Sequence, residues 1–219
     1  PRTLELFVLG ILLGMLLGIP AGMTAALNRG RALDQVSSFI AAFGISAPSY
    51  VVGTLFVLVF GLMLRWFPAS GYKPFLTSPW EHIRQAALPV LAIALNQAAL
   101  IARMTRSSML EVLNSEYVRT GRAKGLTEPT VVRRHALRNA LIPVVSVVGV
   151  SAGSLLGGTV LIEYVFNWPG LSTLLIQGIY QRDYPMVQGV LLVTSTMFVL
   201  LNLGIDMLYG FIDPRIRYN

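Results

Sequence analysis

The sequence predicts an all-α integral membrane protein, a polytopic bundle with five transmembrane helices in its 219 residues. Three observations carry that expectation. Hydrophobic residues make up 54% of the chain and charged ones only 12%, against about 25% charged in soluble domains, and the mean hydropathy is +0.66. The apolar residues fall in long unbroken blocks rather than at the helical or strand period of a soluble core. Runs such as VVGTLFVLVFGLML do not alternate in polarity, as the strands of a membrane barrel do over ~10 residues.

Five blocks approach or exceed the ~20 apolar residues a helix needs to cross hydrocarbon: 4–27, 37–64, 86–102, 139–162 and 186–210. The first carries Gly14, Gly18 and Gly22 at four-residue spacing, and the fourth carries Gly149, Gly153 and Gly157. Such ridges let helix backbones approach closely, either as fixed packing or as smooth faces that slide when a pathway opens. The third block is the weakest, being short and interrupted by Pro89, Asn96 and Gln97. The fourth contains GVSAG, which formally fits a serine-nucleophile pattern. That pattern needs a base beside Ser151, and the two histidines, His82 and His135, both fall outside the expected spans. In the last block Asn202, Asp206, Tyr209 and Asp213 recur on one helical face. A carboxylate at the centre of a span costs roughly 2.5–3.5 kcal/mol on insertion scales. Asp206 is therefore expected to meet Arg134 or Arg138 in a structural ion pair, with a proton-coupling carboxylate as the alternative.

Charge orients the bundle. Lys and Arg number twelve in 28–36, 103–138 and the C-terminal tail, against five (Arg2, Arg65, Lys73, Arg84 and Arg182) in the alternate segments. The positive-inside rule places the first set in the cytoplasm. Five spans then put Pro1 outside, and a further transmembrane helix is expected upstream of it. Aromatic residues mark the outer segments: Trp66, Phe67, Tyr72 and Trp80 in one, Tyr164, Phe166, Trp168, Tyr180 and Tyr184 in the other. They serve either as headgroup anchors or as the rim of a vestibule that receives a substrate or a delivery protein.

The most informative segment is 103–138, 36 mostly polar residues with eight Arg or Lys, inserted between apolar runs. Leu110, Leu113 and Tyr117 give an apolar stripe that continues the third span into the cytoplasm. Gly121 and Gly125 weaken the helix, and Thr127 is a fair N-cap for a second helix with Pro129 in its first turn. Between the two lies a basic elbow with Arg119, Arg122 and Lys124. Retention on the cytoplasmic side needs only a few basic residues, not a structured elbow. The whole of 1–219 reads as a single transmembrane domain, with 103–138 a cytoplasmic loop within it.

Several function classes are excluded by composition. The chain has no cysteine, hence no disulfide or thiolate site. The net charge of +7 follows the membrane sidedness rather than marking a nucleic-acid surface. Neither of the two lysines, Lys73 and Lys124, stands in a Gly-Lys-Ser/Thr phosphate loop, and no group of His, Asp and Glu has metal-ligand spacing. No catalytic site is expected, and any ATP is hydrolysed by another subunit.

The strings EYVRTGRAKGL and HALRNALIP resemble the coupling loop of binding-protein-dependent ABC transporter permeases, in the form typical of dipeptide, oligopeptide and nickel importers. VFNWPGLSTLL, RDYPMVQG and the terminal DPRIR resemble the same subfamily, and GIPAGMTAAL resembles its second transmembrane helix. Arg119 stands where many members of the wider superfamily open the motif with an acidic residue, a departure that peptide-type members commonly share. The resemblance implies the type I ABC importer permease fold with six helices, in the inner membrane. It implies one half of a pathway for peptides or related small solutes, nickel chelates included. The partners it implies are a second homologous permease, two cytoplasmic ATPases that bind ATP and Mg, and an external solute-binding protein. It assigns ATPase contact to Glu116, Tyr117, Arg119, Thr120, Gly121, Arg122, Ala123, Lys124 and Gly125. No cofactor of the chain's own and no substrate-binding residue follow from it. A second class remains open on residues alone, an ion-gradient-driven secondary transporter or channel. Such proteins show internal repeats and midplane charges, whereas here the halves do not repeat and Asp206 is the one clear intramembrane acid.

Overall fold

The computed structural model describes residues 2–212, apart from the side chains at 154, 156, 205, 206 and 208–212. The described chain is helical: α1 (Arg2–Leu27), α2 (Ala32–Ser46), α3 (Ser49–Phe56, prolonged by π-turns over Val57–Met63), α4 (Pro79–Leu113), α5 (Glu116–Ala123), α6 (Glu128–Thr130, prolonged by π-turns over Val131–Leu137), α7 (Arg138–Val165), α8 (Leu171–Gln181) and α9 (Tyr184–Ile212). Four stretches are long and apolar enough to cross a membrane, in α1, α4, α6–α7 and α9, and α2 with α3 qualifies as a fifth when the bent pair is taken as one span.

The second span is not the single helix expected over 37–64: α2 and α3 meet at 99°. Pro48 is the cause. It lacks the N–H that would bond to the Gly44 carbonyl, and its ring drives Ala47 into extended backbone (φ −82°, ψ 120°). The third span differs in the opposite sense. Far from being the weakest, α4 runs 35 residues without a break and is the most buried of the candidate spans. Pro79 occupies its first turn, where the missing N–H costs nothing. Pro89 lies inside it, as Pro20 lies in α1 and Pro143 in α7, each within a continuous helix.

Glycine makes the α1–α4 contact. A Cβ on Gly14 would lie 2.7 Å from Cβ of Gln97, and one on Gly18 would lie 2.7 Å from the Ala98 carbonyl and 2.8 Å from Cβ of Ile101. Gly22 meets Ala102 and Thr105 in the same way, so this ridge is packed along its length. The ridge on α7 is not. Gly153 packs against Phe198 of α9, but Gly157 faces open space.

Two cores result. The outer one gathers Leu6, Phe7, Leu88, Ile93, Ile162, Phe166 and Trp168, and the inner one Ala26, Met109, Val132, Ala136 and Ala140. Trp168 and Phe166, expected at the aromatic surface, are buried. Tyr72 and His82 stack edge-on against Trp168, and the indole N–H donates to the Arg2 carbonyl at 3.3 Å. Trp66, Trp80, Tyr164, Tyr180 and Tyr184 do stay exposed.

Candidate functional site

The basic segment folds into a hydrogen-bonded elbow at the inner end of the bundle. α4 continues beyond the expected span to Leu113, so the stripe of Leu110 and Leu113 lies on it and both pack on the inner core. The chain then breaks at Asn114 and Ser115, and Tyr117 falls on the separate helix α5. The acidic Glu116 opens α5 and Arg122 closes it, the order that suits a helix dipole. Gly121 lies within α5 and does not end it. The corner glycine is Gly125, with φ +80°, a left-handed value that favours glycine. Its N–H donates to the Arg122 carbonyl at 2.9 Å, and the Leu126 N–H reaches the Gly121 carbonyl at 3.3 Å. Thr127 begins the next helix with extended backbone and Pro129 sits in its first turn, as expected. That helix is not a separate short element: it runs through the π-turns into α7.

The elbow is fastened on one face and open on the other. Val118 is fully buried. The Tyr117 hydroxyl donates to the His135 carbonyl at 3.1 Å and accepts from the Asn139 amide at 2.7 Å. Arg122 and Glu128 form a two-pronged ion pair across the corner, at 2.7 and 3.1 Å, and the carboxylate raises the Arg122 pKa above its ordinary value. Arg119 pairs with Glu116 at 2.8 Å. Thr120 bonds back to the Glu116 carbonyl, while Ala123, Lys124, Gly125 and Leu126 are exposed at the tip.

The elbow therefore joins the ends of two spans: it follows directly on α4 after Asn114 and Ser115, and Tyr117 ties it to His135 and Asn139, which lead into α7. Deeper in the bundle the same two helices meet at Ser151, whose single hydroxyl proton is shared between Gln97 Oε1 at 3.2 Å and the Val148 carbonyl at 2.9 Å. The GVSAG serine is thus a helix-to-helix tie. Asn96, the neighbouring carboxamide on α4, donates to the carbonyls of Gly44 and Ala47 at the α2–α3 break. Asp34 accepts two bonds from Arg106, at 2.5 and 2.9 Å, and one from the Gly30 N–H, fixing the turn before α2 to α4.

The expected ion pair of Asp206 with Arg134 or Arg138 lies outside what is described, since the Asp206 side chain is not among the described residues. Arg134 and Arg138 are exposed and pair with no described carboxylate. The buried ionisable groups among the described residues lie elsewhere. Besides Asp34, Glu163 accepts from the Ser172 N–H and hydroxyl, and His82 bridges Glu5 (2.6 Å) and the Lys73 carbonyl (2.7 Å). His82 is on α4 and buried, not in an outer loop. Sequence patterning missed these ties because none of them falls at a helical or strand spacing.

The described chain is thus an all-helical bundle with helices apolar enough to cross a membrane and a hydrogen-bonded polar elbow at one end. Residues 18–218 match the family described as binding-protein-dependent transport system inner membrane component, and the chain belongs to that family. It is accordingly a multi-pass inner-membrane ABC permease of a binding-protein-dependent transport system. Membership decides against the gradient-driven alternative. A putative peptide transport system permease protein of Brucella abortus (strain 2308) is 43% identical over the whole chain and 70% of its own length. The dipeptide transport system permease protein DppB of Alkalihalophilus pseudofirmus is 41% identical over 99% of this chain and 71% of that protein. The glutathione transport system permease protein GsiC of Escherichia coli (strain K12) is 45% identical over 89% and 61%. In fold the chain is similar to an inward-facing MetNI methionine ABC transporter, with a TM-score of 0.78 at 19% identity over 97% of this chain and 93% of that one.

Proposed function

We propose that this permease imports peptides or closely related small solutes. Its elbow, Glu116 to Gly125, is the surface on which an ATPase subunit acts. The peptide, dipeptide and glutathione permeases similar to this chain support the substrate class. A second homologous permease completes the pathway, two cytoplasmic ATPases bind ATP and Mg, and an external solute-binding protein delivers the solute.

The observation that carries the elbow's role is its double seating. A short helix that follows directly on α4, buries Val118 and is tied by Tyr117 to His135 and Asn139 at the entry to α7 passes a displacement to both spans, where a slack loop would absorb it. The tie between Gln97 and Ser151 keeps those two spans together as they tilt. ATPase closure would thus swing α4 and α7 as one body and open the pathway to the outer face.

The test is Gly125→Pro in the reconstituted complex. Proline holds φ near −65° and has no N–H, so it cannot occupy φ +80° or bond to Arg122. ATP-driven uptake and substrate-stimulated ATPase activity should fall together while the complex still assembles in the membrane. Undiminished uptake would remove the elbow from the transmission path.

A further inference from the structure

The outer end is fastened by a titratable pair that the transport account does not use. His82 lies in the first turn of α4 and is buried, while Glu5, in the first turn of α1, keeps 29% of its side chain exposed. The imidazole has a contact at each nitrogen: Nδ1 is 2.7 Å from the Lys73 carbonyl and Nε2 is 2.6 Å from Glu5 Oε1. A carbonyl oxygen only accepts, so Nδ1 carries a hydrogen. The second contact joins an imidazole nitrogen to a carboxylate oxygen, and it is a hydrogen bond only with one proton between them, on either atom. Without that proton two lone pairs face each other. Tyr72, Phe75 and Trp168 each make a T-shaped contact with the ring at 5.7 Å. The charged groups on the neighbouring elements are engaged elsewhere. Arg2 lies over the Tyr72 ring, Lys73 pairs with Glu81, Arg84 donates to the Trp66 carbonyl, and Glu163 accepts from Ser172.

We infer that the single proton shared by His82 and Glu5 is a latch on the outer end of the bundle, set by the pH outside the membrane. It ties α1 to α4 through Glu5, and it holds the ring that carries the outer segment 66–78 through the Lys73 carbonyl, Tyr72 and Phe75. The exposed part of Glu5 gives the outer solution access to the proton. The sign follows from counting protons. Once the two side chains separate, a free imidazole gives up its second proton above about pH 6.5 and a free carboxylate is already ionised there. Above that pH the latched form holds one proton more than the released form, so rising pH favours release. Below it, down to the carboxylate range, the two forms hold the same number and release does not depend on pH. The inference rests on the orientation that puts the elbow in the cytoplasm, and it does not depend on the elbow's contact with an ATPase.

The test reads local opening rather than transport. Amide hydrogen exchange of the segment 66–78 is followed by mass spectrometry in the assembled transporter in nanodiscs, at about pH 6 and about pH 8.5, on either side of the free imidazole range. Each rate is divided by that of Glu5→Gln at the same pH, which cancels the intrinsic pH dependence of exchange. Gln keeps the contact without a titrating proton, because its amide N–H donates to a bare Nε2. The ratio should rise roughly tenfold between the two conditions, the scale of one proton released over a pH unit. Glu81→Gln, which removes a nearby carboxylate that pairs with Lys73 rather than His82, should show the same rise. A measurement that needs no variant stands beside it: the nitrogen-15 spectrum of His82 should show a protonated Nδ1 at both pH values. A level ratio, a rise abolished by Glu81→Gln, or a bare Nδ1 would each overturn the assignment.

Discussion

At the scale of single residues, glycines with the same spacing in the sequence do different work, and the surroundings decide which. Gly18 holds α1 against backbone and side chain of α4, and neither can yield. Gly18→Leu should overpack this contact by about 1–3 kcal/mol or more, lowering the unfolding temperature of the purified complex in a fluorescence-detected chromatography assay. Gly157→Ala meets open space and adds helix propensity, so the same assay should show no loss. Equal destabilisation by both would contradict the packing described. The spacing of these glycines was plain in the sequence, but which ridge was packed was not, because that depends on which helix faces each ridge. The positive φ of Gly125 was legible in kind, since a glycine between two helical patterns is where a left-handed corner falls. The outward Trp168 was misread for a related reason. An aromatic residue near a membrane surface fits headgroups or a core equally well until Tyr72 and His82 are brought to its face.

At the scale of elements, the α2–α3 break shows how a polar side chain substitutes for missing backbone. Pro48 deprives the Gly44 carbonyl of its partner, and the Asn96 amide takes that place at 3.0 Å. Non-helical backbone at membrane depth requires such satisfaction from within the protein. Asn96→Leu should leave the carbonyls of Gly44 and Ala47 unpaired and cost about 1–3 kcal/mol, read as a lower unfolding temperature, while Asn96→Gln should recover part of it. No change with Asn96→Leu would mean that the break is held by other contacts. Spans were easy to find by apolar length, yet their continuity was not. Proline interrupts α2–α3 but is absorbed inside α1, α4 and α7. Neighbouring helices decide between those outcomes, and a single segment does not carry that information. The elbow's two helices were visible as a polar segment with a glycine corner, and what escaped notice was that the second is the beginning of α7.

At the scale of the molecule, the packing brings the segments around 2–5, 66–82 and 163–172 together at one end, and the turn before α2, the end of α4 and the elbow together at the other. This matches the sidedness read from charge. Single cysteines in this cysteine-free chain should therefore react with an impermeant thiol reagent from opposite sides of the membrane, Arg31→Cys from within and Tyr180→Cys from outside. Tyr180 is 79% exposed on α8. Reaction of both from one side would refute the topology.

The central claim is that motion imposed on the elbow is what opens the outer face. Spin labels on Lys124→Cys at the elbow tip and Tyr180→Cys on the outer helix, in the assembled transporter, report both ends in one distance distribution. Adding a non-hydrolysable ATP analogue should shift that distribution in the otherwise unmodified complex. The shift should vanish when Gly125→Pro is introduced, although the ATPase subunits still bind the analogue. The same shift with and without Gly125→Pro would show that the outer face opens by a route that bypasses the elbow.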